Sequence, residues 1–155
     1  MKLEQILIPT SVATPGMLMR DVFTECIRAQ VPAIPFRNDQ GVMTGRIGLR
    51  DTMKRSCLPE YMIEMAHVLG NQLSCTDNSE QKAHEVLCHT VDDYVQPDLM
   101  SLTSSSTVIK TLAIMVKYDT TYVFIVDDGE YKGVVTTLAI AQRMIELDVL
   151  CEPDQ

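Results

Sequence analysis

The sequence predicts an α+β fold built from two copies of one unit. The first observation is an internal repeat, because Pro35 and Phe124 hold the same place in two matching stretches 89 residues apart (124 − 35). The second is that each stretch combines an apolar segment at helical spacing with two short β-prone segments around an Asn, Asp or Gly turn. Each unit is therefore expected to run strand-helix-strand-strand-helix, and two copies can bury each other's sheet faces.

The first unit opens with Thr14 and Pro15, a pair that favours an N-cap followed by a first helical turn. Helical spacing follows in Leu18, Met19, Val22, Phe23, Cys26 and Ile27. An apolar strand over 33–36, a polar turn and a strand ending near Ile47 predict an antiparallel hairpin. A second helix is expected to start near Asp51.

The second unit repeats this order after a run of Ser and Thr. Its first helix is indicated by Val108, Leu112, Met115 and Val116. Its hairpin is predicted from a strand over 122–126 and a second strand ending near Val135, and its last helix is expected from Leu138. Gly45 and Gly133 hold equivalent places and are interpreted as turn residues.

The segment between the units is neither Gly/Ser-rich nor Pro-rich, so it is not a flexible linker. A helix from about Pro59 to Ser74 is predicted by an apolar stripe of Met62, Met65, Ala66, Leu69 and Leu73. A further helix is expected to be capped at Asn78 or Ser79. The stripe is interpreted as internal packing, as a dimer interface, or as a docking face for a partner protein. The predicted organisation is 1–57 first repeat, 58–95 helical insertion or linker, 96–150 second repeat and 151–155 tail.

Charge and motifs narrow the function classes. The 155 residues carry 13 Lys and Arg against 21 Asp and Glu, a net charge of −8, which argues against binding nucleic acid or an anionic membrane. Five cysteines without a CxxC pair do not form a secreted disulfide framework, and a cytoplasmic protein is expected. His84 and Cys88 have ligand spacing on a helix, but a metal site needs two more ligands, so none is predicted. No catalytic motif is found, and no catalytic residue is assigned.

The ordered motifs resemble a tandem pair of CBS (cystathionine β-synthase) domains, known as a Bateman module. The residues that carry the resemblance are Ile34-Pro35-Phe36 with Asn38, Asp39, Gly41, Gly45, Ile47 and Asp51, and Phe124-Ile125-Val126-Asp127-Asp128 with Gly133-Val134-Val135-Thr136. The likeness covers residues 10–55 and 98–146.

The resemblance implies a regulatory module rather than an enzyme, with two repeats packed about a pseudo-two-fold axis. It implies that clefts between the repeats bind an adenosine-containing ligand such as AMP, ADP, ATP or S-adenosylmethionine, and that no cofactor is required. It also implies a homodimer, commonly a flat disc, whose geometry carries the signal. The alternative is a ligand-free module for dimerisation or protein interaction.

The family's ligand signature places a Ser or Thr and, three residues later, an Asp at the turn between the second strand and the last helix. Here the signature is split, since Asp51 follows Gly48 in the first repeat and Thr136 precedes Ala139 in the second. The cleft at Asp51 is therefore expected to be the one that binds a nucleoside through its ribose hydroxyls. The alternative is that Asp51 is only the N-cap of its helix.

The other candidate ligand-binding residues are Arg50, Gly48, Arg46, Pro32, Ile34 and Thr136. Arg46 and Arg50 are the local partners for phosphate, or else lie on a solvated face. Gly48 would let a ligand approach closely or serve a tight turn. Pro32 and Ile34 match the segment that lines the adenine pocket in the family, or belong to a core strand. Thr136 would help to hold phosphate, or simply closes its strand.

Overall fold

The computed structural model describes residues 1–70 and 79–149, except for the side chains of residues 79 and 149. The helices are α1 (Met19–Ala29), α2 (Leu49–Cys57), α3 (Glu60–Glu64), α4 (Ser79–Cys88), α5 (Val108–Lys117) and α6 (Thr137–Val149). The strands are β1 (Ala33–Arg37), β2 (Met43–Gly48), β3 (Ser101–Leu102), β4 (Tyr122–Asp127) and β5 (Glu130–Thr136). Single 3₁₀ turns lie at Leu3–Gln5, Ala66–Val68 and Val91–Asp93. Among the described residues, no helix is long and apolar enough to cross a bilayer.

The predicted α+β fold and both predicted hairpins are confirmed. Strands β1 and β2 pair antiparallel, as do β4 and β5. The first strand of each unit is much shorter than the pattern suggested. In the second repeat it is the two-residue β3, which pairs parallel with β4, and in the first repeat it is a single bridge from Ala13 to Phe36. Ala13 and Leu102 make the same pairing 89 residues apart, so the repeat holds in three dimensions.

The helix predicted to begin at Thr14 begins later, at Met19, so the expected N-cap is wrong. The carbonyl of Thr14 accepts a hydrogen bond from the N–H of Met17 (3.1 Å) in a turn that ends the short strand. Helix α1 has Leu18 at its N-cap without a side-chain bond, and the N–H of Met19 donates instead to the carbonyl of His89 (2.9 Å). In the second repeat Thr107 caps α5 by accepting from the N–H of Lys110 (3.1 Å).

The two repeats share one core, and strand β4 divides it by its two faces. Tyr122 and Phe124 point into a cluster with Ile34, Ile47 and other residues of the first repeat. The alternate residues Val123 and Ile125 point the other way, into a second cluster beneath α5 and α6. The second repeat's sheet is therefore buried on both faces, and the first repeat supplies one of the two covers.

Each repeat also completes the sheet edge of the other. Ile8 pairs with Val134 of β5, and Gln96 pairs with Arg46 of β2, through backbone hydrogen bonds of 2.8 to 2.9 Å. The two crossings occur at Gly133 and Gly45, where a Cβ atom would collide with the backbone of Ile8 and Gln96 respectively. These glycines therefore serve close approach between chain segments rather than the turns that were expected.

The insertion differs from the expected pair of helices. The helix predicted from Pro59 to Ser74 ends at Glu64, and residues 71–74 lie outside the described part. Within the described residues its apolar stripe is largely uncovered, since Met65 and Leu69 are exposed. The second predicted helix is α4, which packs against α1 and α2 and buries Val86 in the first core. Asn78 lies outside the described residues, so its capping stays a prediction.

Candidate ligand-binding site

A cleft between the repeats has a volume of about 290 Å³, near the lower end of the range for small-molecule sites. The first repeat contributes the C-terminal end of β2 and the N-terminal end of α2 to the lining. The second repeat contributes mainly the loop between α5 and β4. The lining residues are Pro32, Arg46, Gly48, Arg50, Asp51, Met100, Tyr118, Asp119, Thr120, Thr121 and Tyr122. The structure thus brings five of the seven predicted site residues together.

Asp51 is the third residue of α2, and the N-cap position belongs to Gly48, so Asp51 is not the cap. Its carboxylate is half-buried and makes no hydrogen bond or ion pair with any described residue. A Cβ atom at position 48 would lie 3.3 Å from Oδ2 of Asp51 and 3.6 Å from the Tyr122 hydroxyl. The glycine therefore keeps the carboxylate open to the cleft, and a side chain there would crowd it.

The two arginines of the cleft differ in how firmly they are held. The Arg46 side chain is only 16% exposed, and its Nη1 donates to the carbonyl of Asp98 and lies 3.8 Å from Asp98 Oδ2. Its Nε is buried and lacks a partner among the described residues. Arg50 is exposed and makes no ion pair with a described residue, so it is the freer donor for a ligand anion.

Tyr122 is a buried residue of the cleft lining, and its ring packs edge-on against that of Phe124 with 5.4 Å between the ring centroids. Burial raises the pKa of its hydroxyl, the Arg46 charge partly opposes that rise, and the Asp51 charge adds to it. The phenol therefore stays protonated and can donate a hydrogen bond into the cleft.

The second repeat's contribution to this cleft was missed by sequence reasoning. Asp119 lies there with a left-handed backbone (φ 49°), just past the end of α5. Its equivalent at the end of α1 is Gln30, also left-handed (φ 56°), 89 residues earlier. Since pseudo-two-fold packing sets this loop of one repeat against the strand end of the other, the offset alone could have indicated Asp119.

The remaining two candidates lie elsewhere. Ile34 is fully buried in β1 opposite Ile47 and cannot touch a ligand, so the core-strand interpretation applies to it. Thr136 lines a second cavity of about 400 Å³, with Pro32, Leu49, Gln30, Thr121 and Leu138. Its hydroxyl accepts a hydrogen bond from the N–H of Ala139 (3.0 Å) and so holds the start of α6.

The second cavity is mainly apolar and has no carboxylate in its lining. Cys26 reaches it, but this thiol is 1% exposed, and burial raises its pKa to about 12. It is therefore a packed core group rather than a nucleophile. His84 Nε2 and Cys88 Sγ lie 3.8 Å apart, yet within residues 1–70 and 79–149 no third metal-ligating side chain joins them.

The comparisons with known proteins concern the family and the fold. Residues 91–146 match the family model described as "CBS domain". No curated protein sequence matches the chain. The CBS-domain resemblance is confirmed by that match and by solved structures of CBS-domain proteins that share the fold.

Three solved structures illustrate the likeness. A CBS domain-containing protein of unknown function from Kribbella flavida is 19% identical, with a TM-score of 0.63 over 93% of this chain and 99% of that chain. A putative archaeal homolog of g-AMPK from Methanocaldococcus jannaschii is also 19% identical, with a TM-score of 0.65 over 92% of this chain and 47% of that chain. CBSX2 in complex with AMP is 14% identical, with a TM-score of 0.61 over 95% of this chain and 98% of that chain. At these identities the fold is what is shared.

Proposed function

We propose that this chain, with a CBS domain in its second half and the fold of CBS-domain proteins throughout, is a regulatory module that binds an adenosine-containing molecule. The proposed site is the Asp51 cleft. The observation that carries the proposal is the half-buried Asp51, whose carboxylate has no partner among the described residues and which lines a cavity built from both repeats. A carboxylate in that position can accept from both vicinal hydroxyls of a ribose.

The neighbours of Asp51 support the assignment. Gly48 leaves the carboxylate accessible, the Tyr122 hydroxyl is a protonated donor beside it, and Arg50 is free to meet an anion. A ligand held between Asp51 and Asp119 would touch both repeats at once. It would therefore favour one spacing of the repeats and shift the population toward it, by as much as its affinity for the two spacings differs.

The charges of the cleft favour a ligand with few negative charges. The lining has two positive side chains, Arg46 and Arg50, and two negative ones, Asp51 and Asp119. Arg46 also lies 3.8 Å from the carboxylate of Asp98, which offsets part of its charge. The chain as a whole carries −8. AMP or S-adenosylmethionine is therefore expected to bind more tightly than ATP, whose additional phosphates would meet Asp119 without an additional cation.

The test is a thermal-shift and calorimetry series with AMP, ADP, ATP and S-adenosylmethionine. A ligand at about 100 times its Kd stabilises the protein by ~2.7 kcal/mol, or about 5–10 °C in Tm for a domain of this size. Asp51→Ala is expected to weaken binding about tenfold to a hundredfold, because it removes a hydrogen bond to a charged acceptor.

Asp39→Ala is the matched control, because it removes the same charge from an exposed turn of the same repeat. Its affinity should equal that of the unmodified protein. If no adenosine compound changes the Tm, the proposal is wrong. If one binds equally well to Asp51→Ala, the ligand class stands and the site is elsewhere.

The second candidate function is a ligand-free interaction module. It is favoured by large apolar side chains exposed on α5 and α6, among them Ile109 and Leu138. The same ligand series separates the two candidates, since an interaction module has no ligand to stabilise it.

A further inference from the structure

A groove lies between α2 and α3 in the first repeat and is called here the α2/α3 groove. Its volume is about 560 Å³, within the range for small-molecule sites. Its lining includes Pro32, Arg50, Met53, Lys54, Leu58 and Ile63. The three large apolar side chains among them are only about half covered, with exposed fractions of 44% for Met53, 47% for Leu58 and 42% for Ile63. Apolar side chains left open around one cavity favour an apolar ligand.

The sequence builds this groove at Pro59. A proline disfavours the helical conformation in the residue before it, so α2 ends there and Leu58 is extended (φ −120°, ψ 110°). The chain then enters α3, whose Ile63 lines the same cavity as Met53 of α2. Among the described residues the second repeat has no such groove, because α6 continues through Glu146, the position equivalent to Leu58.

The polar side chains of the groove are basic. Arg50 and Lys54 lie one turn apart on α2, and neither makes an ion pair with a described residue. No acid is found among the described lining residues. Glu60 and Glu64 line a neighbouring cavity that shares Lys54 with the groove. An anion is therefore better placed at Arg50 than at Lys54, where these two acids would repel it.

The Arg50 end is also where the groove adjoins the Asp51 cleft, since Pro32 and Arg50 line both cavities. With a ribose at Asp51, Arg50 is the nearest free cation in sequence for a 5′-phosphate. An apolar chain attached to that phosphate would continue into the groove. Esterification also leaves the phosphate with a single negative charge, which suits a cleft whose lining has as many acids as bases.

We propose that the site takes an adenosine 5′-phosphate whose phosphate carries an apolar chain, as in an acyl adenylate, with the chain in the α2/α3 groove. This inference rests on the proposed function, because it needs adenosine in the Asp51 cleft. Arg50 meets the charge of the phosphate, and Met53, Leu58 and Ile63 cover the chain. The ligand then contacts α3 as well as both repeats, so the insertion takes part in binding.

The test is calorimetry of the full chain with the methyl and hexyl esters of AMP. The two esters carry the same charge and differ only in the length of the apolar chain. Each fully buried methylene group strengthens binding about fourfold. Because the groove is open on one side, the hexyl ester is expected to bind at least about tenfold more tightly than the methyl ester.

Ile63→Gln and Tyr61→Gln form a matched pair of variants. Both residues are exposed on α3, but Tyr61 does not line the groove. Ile63→Gln should weaken binding of the hexyl ester at least about threefold, since an apolar contact is lost. It should leave the methyl ester unaffected, because Ile63 does not line the cleft. Tyr61→Gln should leave both affinities within about twofold, as expected outside a binding site.

A second readout needs no variant and uses the unmodified protein with ¹³C-labelled methionine methyl groups. Met53 lines the groove, whereas Met100 lines the cleft. Nuclear Overhauser effects from the end of the hexyl chain should reach the methyl group of Met53. Effects that reach Met100 and not Met53 would place the chain in the cleft and overturn the proposal.

The outcomes separate this inference from the proposed function. If both esters bind equally well, the inference is wrong and adenosine binding stands. If neither the esters nor AMP bind, the proposed function fails and the inference fails with it. If Ile63→Gln leaves the hexyl ester unaffected, the chain lies outside the groove and the inference is wrong. Decanoate is the remaining probe, and if it binds while the esters do not, the groove takes a free carboxylate and the inference is again wrong.

Discussion

Two hydrogen-bonded carboxyl groups, those of Asp127 and Glu25, make the stability of this protein depend on pH. Hydrogen bonds from the hydroxyl and the backbone N–H of Ser104 hold the pKa of Asp127 below its usual 3.8. The backbone bond is 2.9 Å long and joins the loop between β3 and α5 to the end of β4. Glu25 behaves similarly, because a hydrogen bond from Arg28 lowers its pKa from 4.5.

A carboxyl group with a lowered pKa in the folded state stabilises the protein above its unfolded pKa. That contribution is lost as pH falls through the folded pKa. We therefore expect the free energy of unfolding to decrease as the pH drops below about 4, and we expect this decrease to be smaller in Asp127→Asn. Urea unfolding at several pH values measures the free energy of unfolding in both proteins. Asp128→Asn, in the neighbouring exposed turn, is the control, and an equal flattening there would contradict the assignment to Asp127.

Strands β2 and β5 each contain a glycine, Gly45 and Gly133, at the point where another chain segment crosses the strand. Gly45 lies under the carbonyl oxygen of Gln96, which the Cβ of any other residue would overlap. At Gly133 a Cβ would lie 2.9 Å from the carbonyl oxygen of Ile8. Because backbone atoms cannot move aside as a flexible side chain can, neither strand tolerates a side chain at the crossing.

Gly45→Ala should lower stability by about 1–3 kcal/mol, the usual effect of overpacking. At this chain length the Tm would fall by about 3–10 °C, which differential scanning calorimetry measures. Thr44→Ala, an exposed neighbour on the same strand, should change stability by no more than about 0.5 kcal/mol. If Gly45→Ala costs no more than Thr44→Ala, the close approach at the crossing does not limit the side chain at position 45.

The elements also show how far sequence reasoning reaches. Hairpins and repeat helices were predictable because their signals are local: apolar spacing of two or 3.6 residues, and Gly and Asp in turns. The role of Gly45 was not, since the atoms it makes room for belong to Gln96, far along the chain. The helix predicted over 59–74 ends at Glu64 for the opposite reason: its apolar stripe has periodicity, but the stripe residues up to Leu69 find too little surface to pack against.

The residues of the candidate site likewise fall into those with a local sequence signal and those brought together only by the packing of the repeats. Asp51, Gly48 and Arg50 lie near one another in sequence at the end of β2 and were found together. Asp119 and Tyr122 join them only through the packing of the two repeats. Ile34 was misplaced because a motif gives the strand but not which of its faces meets the core.

At the scale of the whole molecule, the two repeats share a core, and we expect them to unfold as one cooperative unit. The first core cluster contains Ile34 and Ile47 from one repeat with Phe124 and Val134 from the other. Each sheet loses an edge partner and the cover of one face when the other repeat is removed. We therefore expect that neither half of the sequence folds as an independent domain.

Ile47→Ala should reveal this coupling. The substitution leaves a cavity in the shared core and costs about 2–5 kcal/mol. Hydrogen exchange should then show β4 and β5 losing as much protection as β1 and β2, because both open in the same global event. Unchanged protection in β4 and β5 would mean that the repeats unfold separately. Thr44→Ala serves as the control that leaves both sheets protected.

The crossing of Ile8 over β5 also bears on the order in which this protein matures. Leu3 and Ile6 are buried with Val135 and Ile140, so the apolar residues of 3–8 find their partners only after some 130 further residues have been made. At about 5–20 residues per second, they remain without those partners for about 6 to 26 seconds during translation. Residues 3–8 are thus among the last parts of the structure to reach their native contacts. A chain whose synthesis stops before residue 134 cannot form the pairing of Ile8 with β5.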